Sequence, residues 1–390
     1  MSNIITVLKS SPTFFSIIIL AMSATSCSSF RDYMRPISRG IPKESDAVKS
    51  SFRTIHNDSI VPPFHFINED QAENAINVLI DDKMIDATAV PLDEFVKLHK
   101  TLSFAIIRND TVLYEYYAPD VTNQTNVTSF SIAKSFVTML IGIAIHEEKI
   151  KSVHQSIADF FPELSDKPDI RPITIQNLLQ HTSGIKFSKE MFNPWSDNAE
   201  FYYTENLRKR SLNLNVKEPP GQHYDYQSEN TMLLALILER TTEMSISQYL
   251  EQKIWTQIGT TAPATWNTDR NDTLAIEKAF CCLNARTMDF AKFGRLLLNK
   301  GSWNGKQVIP EEFIHEATTP SIKNGGKMTY GYNMGIGPVK YGSFFSVGLY
   351  GQFIYLYPAH NVIIVRFGKS GYSYQPNYWK SIMLQIIDQL

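Results

Sequence analysis

The chain is 390 residues long, 43% hydrophobic and 19% charged, which is enough apolar material for one large domain or two ordinary ones and excludes a largely disordered chain. Its 37 basic and 39 acidic side chains leave a net charge of −2 with no long Lys/Arg run, so no electrostatic case for nucleic-acid binding arises. The nine histidines are scattered, and the absence of Cys-x-x-Cys, His-x-His and His-Glu-x-x-His patterns argues against a metal. Of the three cysteines, Cys27, Cys281 and Cys282, the last two are neighbours whose bonding would be strained, so no disulfide framework is expected.

Residues 1–26 have the layout of an export signal: Lys9 near the start, an apolar run at 14–22, and the small residues Ser23, Ala24, Thr25 and Ser26 before Cys27. The run is too short to span a bilayer. Small residues ending directly in cysteine resemble a bacterial lipoprotein signal, with Cys27 as the lipidated first residue of the mature chain, although Ala24 stands where Leu is usual. An ordinary cleaved signal is the alternative, and on either reading the chain leaves the cytoplasm. Residues 27–65, polar and proline-containing, read as a tether and lead-in, which puts the folded domain at 66–390.

Two runs rich in β-branched and aromatic residues, 103–107 and 111–117, flank Asn109-Asp110 and predict a strand hairpin. Helical periods follow in three stretches: Ile132, Phe136, Met139, Leu140 and Ile143; then Leu233, Leu234, Ile237 and Leu238; then Phe290, Phe293, Leu296 and Leu297. Strand-like runs return at 344–346, 352–357 and 362–367, the last two joined by a turn at 358–361, and an amphipathic stretch at 378–390 closes the chain. Strands at both ends with helices between predict an α/β (α+β) fold. Its mostly antiparallel sheet is drawn from the N- and C-terminal segments and flanked by helices, with a helical subdomain inserted at about 131–320 and a cleft between the two parts.

Ser131-Ile132-Ala133-Lys134 sets a hydroxyl and an amine three residues apart at a helix start, on one face and within contact distance. A serine hydroxyl is a poor nucleophile and needs a base, and a lysine serves once burial lowers its pKa. The free N–H groups of the helix start can face a developing oxyanion. The bland alternative is a capping serine beside a solvated lysine. A second such pair, Ser183 and Lys186, follows a short helix that Thr174 would cap and Gly184 would end, so Ser183 reads as a turn residue. The turn-rich loop 219–228 presents Tyr226, a proton shuttle if it stands beside the lysine and a packing tyrosine if it does not. Residues 346–352, with Gly348 and Gly351, would let substrate approach a strand edge whose N–H completes an oxyanion hole, or are simply a bend between strands.

These three elements, in this order, resemble the serine β-lactamase and penicillin-binding superfamily, in particular its class C-like branch, which also holds esterases, D-amino-acid peptidases and 6-aminohexanoate-oligomer hydrolases. The resemblance spans about 90–390 and extends to Leu178-Leu179-Gln180-His181-Thr182-Ser183-Gly184, Leu283-Asn284-Ala285-Arg286, Tyr330-Gly331-Tyr332 and Gly348-Leu349-Tyr350-Gly351-Gln352. It implies a β-lactamase/transpeptidase-like fold with Ser131 as acylated nucleophile, Lys134 as base and Tyr226 as proton shuttle. The oxyanion would face the N–H groups of Ser131 and Leu349, with Ser228, Ser346 and Gly348 at the substrate site and no cofactor. Two departures bear on substrate: Ser228 stands where the lactamase-type motif carries Asn, and Ser346-Val347-Gly348 where it carries Lys-Thr-Gly, unless Lys340-Tyr341-Gly342 is that triplet displaced. The tyrosine expected shortly before Asn193-Pro194 in the oligomer-hydrolase branch is Met191 or Phe192, which argues against nylon-oligomer cleavage itself. The expectation is an exported, lipid-anchored serine hydrolase, held at a membrane through its N-terminal lipid, acting on a small-molecule ester, amide or peptide without an obligatory carboxylate. A β-lactamase or D,D-peptidase and a non-catalytic binding member are the alternatives.

Overall fold

The computed structural model describes residues 37, 40–58, 64–66, 76–190, 193–322, 325–370 and 375–390. Cys27 and the export signal lie outside the described residues.

Strand β1 (Phe52–Ile55) and the short β2 (His65–Phe66) precede the expected hairpin, which runs as β3 (Thr101–Arg108) and β4 (Thr111–Tyr117). Asn109 and Asp110 both take left-handed backbone angles, the geometry a two-residue turn needs to match strand twist. Strands β5 (Asn126–Thr128), β6 (Ala264–Asn267) and β7 (Leu283–Arg286) belong to the middle of the chain. The end supplies β8 (Gly335–Ile336), β9 (Phe344–Gly348), β10 (Gln352–Tyr357) and β11 (Val362–Gly368). The large sheet has the order β8-β9-β10-β11-β3-β4-β2 and is antiparallel except for the β2–β4 pair, so the two ends of the chain do share one sheet.

Both faces of that sheet are covered, which is why its strands read as near-continuous apolar runs rather than clean alternations. On one side Phe104, Ile106, Phe353, Tyr355 and Ile364 pack with α1 (Leu92–Leu98) and with Trp379, Ile382 and Met383 from near the C-terminus. On the other, Ala105, Ile107, Ile354, Leu356, Ile363 and Val365 join the main core with α2 (Ala133–His146). Short α3 (Ile175–Leu179), α4 (Ser228–Thr242) and α5 (Thr287–Leu298) complete that core, and α6 (Pro376–Ile387) carries the C-terminal residues of the opposite layer. Phe136 of α2 stacks on Phe293 of α5 with ring centroids 3.7 Å apart, so the helix that follows Ser131 is fixed directly to the sheet-covering helix.

Four expectations are corrected. The lead-in is not a free tether over residues 40–58. Strand β1 pairs with β6 in a second antiparallel sheet of order β1-β6-β7-β5, because Ile55 is buried there and the strand's backbone finds its partner in β6. The inserted part therefore contains strands as well as helices. Helix α3, capped by Thr174 and Asn177 reciprocally, stops at Leu179 rather than at Gly184, and His181 already takes a left-handed φ of 56°. Cys281 and Cys282 are disulfide-bonded to each other, with a left-handed φ of 69° at Cys282 turning the two side chains together.

Candidate active site

Ser131 sits in a tight turn, Phe130–Ile132, between β5 and α2. The turn is anchored by the Ser129 N–H, which donates to the carbonyl of Leu283 in β7 at 2.8 Å. Phe130 is held at φ 43°, a conformation that costs a non-glycine residue on the order of 1 kcal/mol or more. Its ring is clamped edge-on against Tyr350, 5.5 Å between centroids, and those two rings with Leu349 form a small apolar cluster. The turn is thereby over-determined, and the serine hydroxyl is presented half-buried at a cavity.

Lys134 follows one turn on. It is 2% exposed, its Nζ is 3.0 Å from Ser131 Oγ, and it donates to the carbonyl oxygen of Phe280 at 2.7 Å. Burial lowers its amine to about 7, because removing a charged ammonium from water is costly and no other cause contributes. The bland alternative for this pair, a solvated lysine, does not hold. Tyr226 stands on the other side: its hydroxyl hydrogen-bonds Ser131, and its ring centre lies 5.0 Å from Lys134 Nζ. Burial pushes this phenol up to about 12, so it stays protonated where Lys134 is already neutral. Two titratable groups pushed apart in this way have separable acid and base roles.

His181 holds the tyrosine in place, with ring centroids 4.6 Å apart. The backbone N–H of Gln227 donates to His181 Nδ1 at 3.3 Å, so Nε2 carries the proton and donates to Asn333 Oδ1 at 2.8 Å. Burial and the nearby Lys134 lower this imidazole to about 3, which keeps it neutral. Ser183 of the same segment is buried and donates to Asn230 Oδ1 at 2.8 Å, while Lys186 is exposed, so the second Ser-x-x-Lys pair is not assembled.

Strand β9 closes the other wall. A Cβ on Gly348 would fall 2.4 Å from the carbonyl oxygen of Ser129 and 3.2 Å from Phe130 Cβ, so only glycine lets the strand lie this close to the serine turn. Leu349 follows at once and packs with Phe130 in that apolar cluster, which puts its backbone beside the turn that carries Ser131. Ser228, the first residue of α4, lines the cavity and donates to Asn198 Oδ1 at 3.0 Å. Ser346 behaves differently from the expectation. It is 3% exposed, donates to Ser135 Oγ at 2.7 Å and does not line the cavity, so it braces β9 on α2 instead of meeting substrate. Lys340 is also off the cavity, in an exposed turn with its amine over the Tyr341 ring, and supplies no triplet lysine.

The cavity holds about 730 Å³. Sequence reasoning missed several of its walls. Gly40, Ile41 and Pro42 line it from the supposed tether, with Tyr203 donating to the Gly40 carbonyl at 2.6 Å and Tyr350 to the Pro42 carbonyl at 2.7 Å. Cys281 of the disulfide lines it next to Phe280, whose carbonyl fixes Lys134. A main-chain acceptor has no side-chain signature, so nothing in the sequence marks Phe280. Among the described residues no cluster of His, Cys, Asp and Glu is suited to a metal ion, and no helix is long and apolar enough to cross a membrane.

Residues 93–380 match the family model described as Beta-lactamase. The 6-aminohexanoate-dimer hydrolase of Paenarthrobacter ureafaciens is 24% identical over 305 residues, 72% of this chain and 76% of that protein. A Bacillus anthracis structure named as a 6-aminohexanoate-dimer hydrolase superposes with a TM-score of 0.74 at 24% identity, covering 87% of this chain and 90% of that one. A penicillin-binding protein from Bacillus halodurans superposes with a TM-score of 0.60 at 16% identity over 76% of this chain and 99% of that one.

Proposed function

The chain belongs to the beta-lactamase family and is a hydrolase of that superfamily, and from that premise we propose that it cleaves ester or amide bonds through an acyl-enzyme on Ser131. The observation that carries this reading is Lys134: an amine lowered to about 7 by burial, 3.0 Å from the Ser131 hydroxyl.

In its neutral form Lys134 accepts the Ser131 proton through its lone pair as Oγ attacks the substrate carbonyl, while the Phe280 carbonyl keeps the amine from swinging away. The oxyanion that forms is turned toward the backbone N–H groups of Ser131 and Leu349. Tyr226, still protonated, delivers its proton to the departing alcohol or amine and regains one from the Lys134 ammonium. Water then takes the leaving group's place, and the same groups run the steps in reverse to free Ser131.

The missing triplet lysine argues against a penicillin or a D-Ala-D-Ala terminus, since Ser346 is turned inward and Lys340 is off the cavity. The test follows p-nitrophenyl butyrate and nitrocefin side by side, with Ser131→Ala as control and intact mass as readout of an acyl adduct. Ester turnover and an adduct, both lost in Ser131→Ala, are expected. Dominant nitrocefin hydrolysis would favour the lactamase reading. A folded chain that neither turns over nor is acylated would favour a binding role. Export and acylation of Cys27 complete the proposal on the strength of residues 1–27, and an unmodified mature N-terminus by mass spectrometry would overturn the lipid.

A further inference from the structure

The segment that matches the family model begins at residue 93, yet Gly40, Ile41 and Pro42, far upstream of it, line the cavity that holds Ser131. These three residues belong to no strand or helix. They are held by side chains instead. The Tyr203 hydroxyl donates to the Gly40 carbonyl at 2.6 Å and the Tyr350 hydroxyl to the Pro42 carbonyl at 2.7 Å, so two phenols grip the main chain on either side of Ile41. Just beyond, Glu44 accepts from the Ser370 N–H at 3.0 Å, and Asn267 Nδ2 donates to the Ala47 carbonyl at 2.9 Å. The stretch is thereby a strap pinned at four points rather than a loose lead-in.

The strap's chemistry and its neighbours say what it meets. The two phenols take the carbonyls of Gly40 and Pro42, and Pro42 has no N–H to offer, so the strap presents chiefly apolar surface to the cavity. Tyr350 is 7% exposed, and its ring packs on Phe130, the residue before the nucleophile, so one side chain touches both the strap and the serine turn. Burial and then the charges of Glu44 and Asp46 push its phenol up to about 12, which keeps it a donor at the pH where Lys134 turns neutral. Tyr226, the donor to the leaving group, keeps company instead with the rings of Tyr224 and Tyr330. Resting on the acyl-enzyme reading above, we infer that Ile41 and Pro42 form a wall of the acyl subsite, and that the strap sets the length of the apolar acyl chain the enzyme accepts. A segment whose composition marks it as a tether is then a specificity element, and one supplied from outside the part of the chain that matches the family.

The experiment uses the full chain and two ester series. p-Nitrophenyl acetate, butyrate, hexanoate and octanoate vary the acyl chain, while ethyl, butyl and hexyl acetates vary the leaving group. Along the acyl series kcat/KM is expected to peak at one length, because each methylene gains burial until the chain meets the strap. Ile41→Trp, which thickens the wall, should move that peak to acyl chains about two carbons shorter, and Ile41→Ala should move it to longer ones. Tyr203→Phe/Tyr350→Phe, which keeps both rings and releases the strap, should flatten the peak. Val48→Ser, in the same lead-in but 82% exposed and off the cavity, should leave it in place. The leaving-group series should keep its order in both Ile41 variants. The acyl series is also titrated calorimetrically into Ser131→Ala, which reads binding without turnover, and there the same Ile41-dependent shift is expected. If Ile41→Trp does not fold, Ile41→Ala carries the test. An acyl profile that Ile41 does not move, or a shift confined to the leaving-group series, overturns the wall while leaving the hydrolase reading intact. Absence of turnover with an Ile41-dependent length preference in calorimetry does the opposite.

Discussion

Lys134, buried behind Ser131, and Lys380, on the cavity wall, put the same side chain in two settings. Lys134 is 2% exposed, bonded on one side to Ser131 and on the other to a carbonyl, and its amine is lowered to about 7. Lys380 is half-buried on the cavity wall, and its amine is lowered by burial and by the charge of Lys327. The comparison teaches that depth, not residue type, decides how readily an ammonium gives up its proton. An ammonium that keeps part of its hydration keeps its proton, and one stripped of it gives the proton up.

The strongest way to break the comparison is to remove the deep group or its partner. Ser131→Ala and Lys134→Met should each lower kcat/KM for the best ester by about a thousandfold or more, since groups acting as a unit fail together. Tyr226→Phe should cost about a hundredfold, because a donor is lost while nucleophile and base remain. Rate against pH sharpens the contrast: kcat/KM should rise as pH passes about 7, when Lys134 loses its proton, and then level off, since Tyr226 stays protonated up to about 12. A profile that is flat from pH 5 to 9 would count against Lys134 as base.

Stability gives an independent view of the same burial. Between about 7 and 10.5 an unfolded chain holds a proton on this lysine that the folded chain does not, so folding releases a proton and stability rises with pH across that window. Denaturant titrations should show Lys134→Met without that rise. Gly348→Ala is expected to lower turnover about tenfold and to cost about 1–3 kcal/mol, because the new Cβ meets the Ser129 carbonyl at 2.4 Å. Smallest of all, Lys340→Gln should leave the denaturation midpoint and turnover unchanged, since that amine is exposed and off the cavity.

What could be read from the sequence was local. The Ser131/Lys134 spacing, the Asn109-Asp110 hairpin and the three apolar helical periods each express a geometry set within a few residues. The family motifs carried Tyr226 and Gly348 to their places beside the serine turn. What stayed hidden depended on long-range packing. Strand β1 looks polar because its partner strand, more than two hundred residues away, is what makes it a strand. Ser346 was assigned to the cavity on its place in a motif, yet its hydroxyl reaches Ser135 instead, a contact that no spacing along the strand reports. The adjacent cysteines looked unable to bond until the left-handed turn at Cys282 was in view.

The cavity is also a clock. Pro42 near one end of the chain and Asn377 near the other line it together, and Tyr350 reaches back 308 positions to the Pro42 carbonyl. A nascent chain that has already made Ser131, Lys134 and Tyr226 still lacks β9, the Phe130–Tyr350 clamp and α6. Closing so long a loop carries a large entropic cost. The complete cavity therefore cannot exist before the last helix of the chain has been made.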